Sequence, residues 1–243
     1  MTEIVRDVAS ETDLVDALGP APVGGKALIL IGGADGTEPE RAAALLGFFS
    51  GVARYCDRTG TAVVDGGTDS GVMRLMGEAR AAAARARTAA DDARAAAAGR
   101  ATLQTGAGAF RLIGVAPAGA FERPSKSGDA ITLARHHSLI LRVPGAWFGD
   151  ETRWLFAAAD HLGGGSAATI VVNGGALTLD EAHQRLASGH TVIAVEGSGR
   201  AADALAGDAA LRSSGRLRVM PLTADAETLA EALAEPLAET IDP

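Results

Sequence analysis

The chain predicts an α/β fold with a doubly wound, mainly parallel sheet, and three observations predict it. Short apolar runs rich in Val, Ile and Leu recur along its 243 residues. Most of these runs are closed by glycine or proline and followed by apolar residues at helical spacing, the pattern of buried strands joined by crossover helices. The runs are apolar at successive positions, which argues against an antiparallel sheet with one wet face.

The strand candidates are residues 26–31, 61–64, 111–116, 138–143, 169–172, 191–195 and, with a weaker pattern, 217–220, about seven in all. Helical spacing runs through 38–58, 71–87, 151–161, 179–188, 201–206 and 225–233. Alternation of this kind, with right-handed crossovers, gives a Rossmann-like sheet carrying helices on both faces.

No Pro/Ser-rich linker divides the chain, so residues 26–243 read as a single domain after an N-terminal extension, 1–25. Within that extension 4–18 is amphipathic and ends at Gly19-Pro20. It reads as an extra helix on the sheet or an oligomer contact. Residues 79–99 are nearly all Ala, Arg, Asp and Thr, which favours helix but supplies no large apolar anchor. With the Gly-rich stretch to 109 they read as an Ala/Gly-rich insertion, 79–109, beginning as a solvated helical extension.

The net charge is −8 with no Lys/Arg block, so a nucleic-acid backbone would meet little counter-charge. Cys56 is the single cysteine, which fits a reducing compartment and a cytoplasmic protein. No signal-peptide pattern opens the chain, and no apolar segment reaches the roughly 20 residues that span a bilayer. A homo-oligomer is compatible with the sequence, although no clean heptad marks its surface.

Glycine clusters follow four of the strands: Gly32-Gly33-Ala34-Asp35-Gly36, Gly66-Gly67-Thr68-Asp69-Ser70-Gly71, Asn173-Gly174-Gly175 and Gly197-Ser198-Gly199-Arg200. In a parallel sheet these turns share one rim, where such folds bind ligands. Glycine there admits an anion close to the backbone, and the next helix offers unpaired N–H groups, so phosphate is the natural guest. Thr68 and Ser70 add hydroxyls, and Arg200 adds the one obvious cation. The same glycines also serve simple turns in any doubly wound fold. Residues 197–202 match G-x-G-x-x-A, but no acidic residue ends the next strand to take a ribose hydroxyl.

Asp35 reads as a turn cap, and Asp65 as either a cap or a ribose contact. Glu196, beside its glycine loop, is a candidate for a ribose or base contact and for acid/base work. His137 reads as a ligand contact or as a histidine bonded at a strand entrance. The histidines show no metal-ligand spacing, so no metal site is expected, and no cofactor is required. Trp147, Phe148 and Trp154 either stack a base or fill the core, and core packing is the commoner role. G-x-S-x-G, the P-loop and a Cys/His nucleophile pair are all absent from the sequence.

Taken together, residues 63–73, 112–117, His137-Ser138 and 196–203 resemble the SLOG superfamily, and within it the prokaryotic relatives of the cytoplasmic N-terminal domain of melastatin-type transient receptor potential channels. The resemblance spans residues 27–203. It implies a Rossmann-like domain that senses or processes nucleotide derivatives, with ADP-ribose-like ligands leading. It places phosphate contacts on the 66–73 loop, including Gly71, Val72 and Met73, and on the 197–203 loop with Arg200 as the matching arginine. The superfamily also contains cytokinin-activating phosphoribohydrolases, whose P-G-G-x-G-T-x-x-E motif supplies a catalytic glutamate. At that strand end this chain has Asn173-Gly174-Gly175-Ala176.

Two functional expectations follow. The first is a domain that binds or senses a nucleotide-derived, phosphate-containing small molecule. The alternative is an enzyme cleaving an N-glycosidic bond with Glu196 or Asp65 as the acid/base group.

Overall fold

A computed structural model describes residues 4–33, 39–97, 110–122, 131–165 and 167–238. The described strands form one 8-stranded sheet. They are β1 (Ile4–Asp7), β2 (Ala27–Gly33), β3 (Ala62–Asp65), β4 (Leu112–Pro117), β5 (Leu139–Val143), β6 (Ala167–Asn173), β7 (Val192–Glu196) and β8 (Leu217–Pro221). Their order is β1-β5-β4-β3-β2-β6-β7-β8, and every pairing between them is parallel. The helices are α1 (Glu11–Leu18), α2 (Pro39–Thr59), α3 (Gly71–Ala97), α4 (Thr152–Gly163), α5 (Ala176–Ala187), α6 (Arg200–Gly207), α7 (Ala209–Ser213) and α8 (Ala226–Ala234).

The uninterrupted apolar strands are what a sheet buried on both faces demands, and alternation sorts their side chains. On β2, Ala27, Ile29 and Ile31 enter one core with Leu14 of α1, Trp154, Leu155 and Leu162 of α4, and Leu205 of α6. Leu28 and Leu30 enter the other, against Leu45, Phe48 and Phe49 of α2, Met76 of α3 and Leu229 of α8. Helices therefore cover both faces.

The sheet has eight strands where the sequence suggested about seven; the additional strand is β1, inside the segment read as one amphipathic element. Its residues are exposed, and it pairs with β5 at the sheet edge. Ser10 then caps α1, its hydroxyl accepting from Asp13 N–H while the Asp13 carboxylate accepts from Ser10 N–H. The Ala-rich stretch is continuous with α3 as far as Ala97. A polar side chain ties its base: Arg80 is buried and donates to the carbonyls of Phe110 at 2.8 Å and His136 at 2.7 Å. Farther along, Arg87 pairs with Asp57 of α2 at 2.8 Å. The remainder of the insertion, 98–109, lies outside the described residues, as do Ala34, Asp35 and Gly36. Among the described residues no helix is long and apolar enough to cross a membrane.

Strand order reverses between β2 and β6. From β2 the chain winds outward through β3, β4 and β5, then returns to lay β6 on the other side of β2. Outside the carboxyl ends of such neighbours the connections diverge and leave a crevice. Gly33 and Asn173, partners in the β2–β6 register, mark this point.

Candidate functional site

The crevice is walled first by β2 itself. Gly32 has φ +147°, and a Cβ there would lie 1.9 Å from the Val172 carbonyl oxygen. Any larger residue would force β2 and β6 apart.

The turn after β3 is held from beneath. Asp65 is fully buried; its Oδ1 accepts from Gly67 N–H at 2.8 Å and lies 2.9 Å from His137 Nε2. The other ring nitrogen of His137 stands 3.3 Å from the Arg135 carbonyl. Burial lowers the His137 pKa, but the Asp65 charge and hydrogen bond outweigh it, so the net displacement is upward. With acceptors facing both nitrogens, the ring is suited to the imidazolium form. Asp65 and His137 thus anchor the loop from inside the core. The turn is also stitched to 132–134 by Asp69 N–H to the Thr132 carbonyl and Ala134 N–H to the Gly67 carbonyl. Val72, expected at a ligand, is fully buried in the core.

On the far side of β2 two turns lie together. Ser198 is fully buried, accepts from Asn173 N–H at 2.8 Å and donates to the Val195 carbonyl at 2.6 Å. Its hydroxyl is committed to joining the β6 and β7 turns, which corrects its expected role at phosphate. Gly197 N–H donates to Asp203 at 2.7 Å. Arg200 opens α6 with φ 46°, and its Nη2 lies 3.2 Å from where a Cβ on Gly175 would sit. Arg41 Nη1 lies 3.6 Å from the corresponding point on Gly199. Two guanidinium groups therefore flank the Gly175 and Gly199 turns, and neither makes an ion pair among the described residues. Asn173 Oδ1 is buried beside Gly199 without a hydrogen-bond partner. Glu196 is exposed at the end of β7, beyond β6 from the crevice.

Between the β2 end, the β3–α3 turn and the starts of α4 and α5 lies a cleft of about 210 Å³. Of the expected contacts, Gly32, Gly66, Thr68, Ser70 and Met73 line it; Gly67, Gly71, Val72, His137 and the 197–200 turn do not. Thr68 and Ser70 hydroxyls bond each other at 3.1 Å. Trp154 is core, but Phe148 and Trp147 are 47% and 66% exposed, and Phe148 stands at the cleft, which corrects the core assignment for both.

Two carboxyl groups line the same space, Glu151 at the N-cap of α4 and Glu181 on α5, each 5% exposed. Glu151 accepts from Gly149 N–H at 2.6 Å, and Glu181 Oε1 accepts from the Thr152 hydroxyl at 2.8 Å. Burial raises the Glu151 pKa. Burial, with the neighbouring Glu151 and Asp180 charges, pushes Glu181 up to about 7 against the pull of Thr152.

The family model described as "SLOG in TRPM, prokaryote" matches residues 26–88 and 90–234. The chain belongs to this SLOG family. None of the curated proteins matches it. Among solved structures, the X-ray structure of TM1055 is 16% identical, with a TM-score of 0.53, and the match covers 86% of this chain and 99% of that one. The molybdenum cofactor binding protein of Rippkaea orientalis is 13% identical, with a TM-score of 0.53 and coverage of 87% and 96%. The molybdenum cofactor carrier protein of Chlamydomonas reinhardtii is 16% identical, with a TM-score of 0.53 and coverage of 88% and 99%. At these identities the likeness is one of fold.

Membership in SLOG sharpens what the sequence reading missed. The P-G-G-x-G-T-x-x-E pattern of the phosphoribohydrolases is broken here at its first and fifth positions, Asn173 and Leu177, yet Thr178-Leu179-Asp180-Glu181 keeps its Thr-x-x-Glu half. Thr178 packs against Gly174, where a Cβ would meet its side chain at 2.6 Å, and Glu181 lies one helical turn farther into the cleft. Arg41 and Glu151 carried no comparable signal. They reach the crevice from segments that converge only in the fold.

Proposed function

We propose that this SLOG domain binds a nucleotide-derived, phosphate-bearing small molecule across the β2/β6 crevice. The phosphate sits at the α5 and α6 turns, between Gly174-Gly175 and Gly199, with Arg200 and Arg41 as its counter-charges; the base sits in the cleft beside Phe148. The observation that carries this reading is the Arg200 guanidinium over Gly175. A cation that makes no ion pair among the described residues, beside a glycine turn that starts a helix, is the arrangement a phosphate completes. ADP-ribose, with phosphates between two ribosyl ends, is the finer expectation.

Calorimetric titration with ADP-ribose, AMP and NAD tests the reading. Replacing a charge-assisted contact forfeits roughly 1.5–3 kcal/mol, so Arg200→Ala is expected to weaken binding on the order of 10- to 100-fold. Affinities equal in wild type and variant would overturn it. Because two of the structural neighbours are named for the molybdenum cofactor, that cofactor belongs in the ligand panel.

A second reading, N-glycosidic cleavage, draws on Glu181. A carboxyl group that keeps its proton near neutral pH inside a cleft is suited to general-acid work, and it moves the candidate catalytic role from Glu196 and Asp65 to Glu181. Free base in the recovered titration mixture would put this reading first; intact ligand would remove it.

A further inference from the structure

Among the described residues, the cleft is lined by two carboxyl groups and no cation. Leu30, Ile31, Met73, Phe148, Leu155 and Leu177 give it apolar walls, and no Lys, Arg or His is among its lining residues. A buried carboxylate normally finds a guanidinium, an ammonium or a set of N–H donors. Here Glu181 has one donor, the Thr152 hydroxyl, on Oε1. Its Oε2 has no hydrogen-bond partner among the described residues, although Glu181 is only 5% exposed. Glu151 receives Gly149 N–H on Oε2. The pair therefore presents unused acceptor capacity to a cleft whose other polar side chains, among the described residues, are the hydroxyls of Thr68, Ser70 and Thr178.

We propose that Glu181 and Glu151 form a base-recognition site that selects a heterocycle bearing an exocyclic amino group, an assignment that rests on the nucleotide reading above. The amino N–H groups donate to the free carboxyl oxygens, and the ring packs between Phe148 and the aliphatic wall. Glu181 faces the Glu151 charge from the start of α4 and Asp180 on its own helix; β2 and the β3–α3 turn bring only uncharged groups to the cleft. Like charges so placed favour retention of one proton by the pair. The pair then offers one O–H donor to a ring nitrogen beside acceptors for the amino group. Gly175 caps α5 and Glu181 lies less than two turns along it, roughly 9 Å of helical rise, so one ligand can engage both.

The test compares AMP with purine ribonucleoside 5′-monophosphate, which keeps the ring and phosphate and lacks only the amino group, and repeats the comparison with adenosine and purine riboside, which lack phosphate. Calorimetric titration at pH 6.5 is expected to show at least a tenfold preference for the amino-bearing member of each pair, because the analogue leaves a buried acceptor unpaired. Glu181→Leu, which removes both acceptors while filling similar space, is expected to reduce the preference below about threefold; Glu181→Met, unbranched like Glu and likewise without an acceptor oxygen, is the second variant should Leu disturb the fold. Arg200→Ala is expected to weaken AMP and its analogue by the same factor, leaving their ratio intact.

Equal affinities within each pair, or a preference surviving both Glu181 variants, overturn the inference. If nucleosides bind as well as nucleotides and Arg200→Ala changes nothing, the phosphate reading fails while an amino preference still supports the carboxyl pair. If Arg200→Ala weakens binding but no amino preference exists, the pair fails and the phosphate reading stands. Absence of binding by all four probes overturns both.

Discussion

His137 Nε2 lies 2.9 Å from Asp65 Oδ1, with neither side chain open to solvent, and the same oxygen receives Gly67 N–H at 2.8 Å. The segment leading into β5 is thereby fixed to the glycine turn after β3. Removing one member strands the other in the core, a loss on the order of 3–5 kcal/mol. Asp65→Ala and His137→Ala are each expected to lower the urea midpoint of unfolding accordingly. The pH dependence has a definite direction. Because Asp65 raises the His137 pKa against the effect of burial, the pair's stabilisation is complete below the ordinary histidine value of about 6.5 and is lost as pH rises through the higher folded value. An unfolding free energy for His137→Ala that tracks wild type at every pH would refute this role.

Glu181 lowers stability where the His137–Asp65 pair raises it, with the same direction of pH dependence. Its carboxyl pKa is raised to about 7 from 4.5, so the folded protein holds a proton that the unfolded chain has released. Wild-type stability should therefore fall as pH climbs from about 4.5 to about 7, by up to roughly 3 kcal/mol from this group. Glu181→Gln has no such proton to hold. Its stability relative to wild type is expected to rise through that interval and level off above it, as read from urea unfolding at pH 5, 6, 7 and 8. A difference that stays flat with pH would show that Glu181 ionises normally in the folded chain. Retaining a residue that lowers stability at neutral pH is what a binding or catalytic role would require.

The close contact beneath the glycine loop supplies a third test. Gly67 has φ +64°, and a Cβ on Gly114 of β4 would lie 2.5 Å from the Gly67 Cα and 2.6 Å from Ile140 Cδ1. The backbone contact cannot relax by a rotamer change, so Gly114→Ala is expected to destabilise by about 1–3 kcal/mol and to weaken ligand binding by displacing the loop that carries Gly66, Thr68 and Ser70. Gly207→Ala, where a Cβ meets nothing within 4 Å, is the control and should leave both properties intact.

Much of this arrangement was legible in the sequence because period and punctuation are local. The apolar runs of β2, β3, β6 and β7 and the glycines that follow them fix both strands and rim, and Gly32, Gly66, Thr68 and Ser70 line the cleft. Side-chain direction was less accessible. Asp65 and Glu196 both end strands, yet Asp65 points into a buried ion pair and Glu196 to solvent. Arg41 lies in the first turn of α2, where nothing in its neighbours signals that it will reach Gly199 from across the switch point. Glu181 was concealed differently: the breaks at Asn173 and Leu177 obscured a Thr-x-x-Glu pair that still occupies its place on α5. β1 was missed because an exposed edge strand lacks the doubly apolar pattern that identifies its neighbours.

The aromatic residues near α4 divide by exposure, and that division gives a prediction separating stability from binding. Trp154 is 3% exposed and packs in the core beside Leu155, so Trp154→Ala is expected to cost about 3–5 kcal/mol of stability. Phe148 retains nearly half its surface and lines the cleft, so Phe148→Ala should change stability by no more than roughly 1 kcal/mol. Its effect belongs to the complex. Stacking of a base on an aromatic ring contributes about 1–3 kcal/mol, which places the loss of affinity for AMP at roughly 5- to 100-fold. Trp147, more exposed and outside the cleft lining, serves as the comparison, and Trp147→Ala should leave AMP affinity within about twofold of wild type. Equal losses in the two variants would assign the effect to the loop as a whole. A loss confined to Phe148→Ala, with unfolding unchanged, would place the base against that ring and orient the ligand with its phosphate toward Arg200.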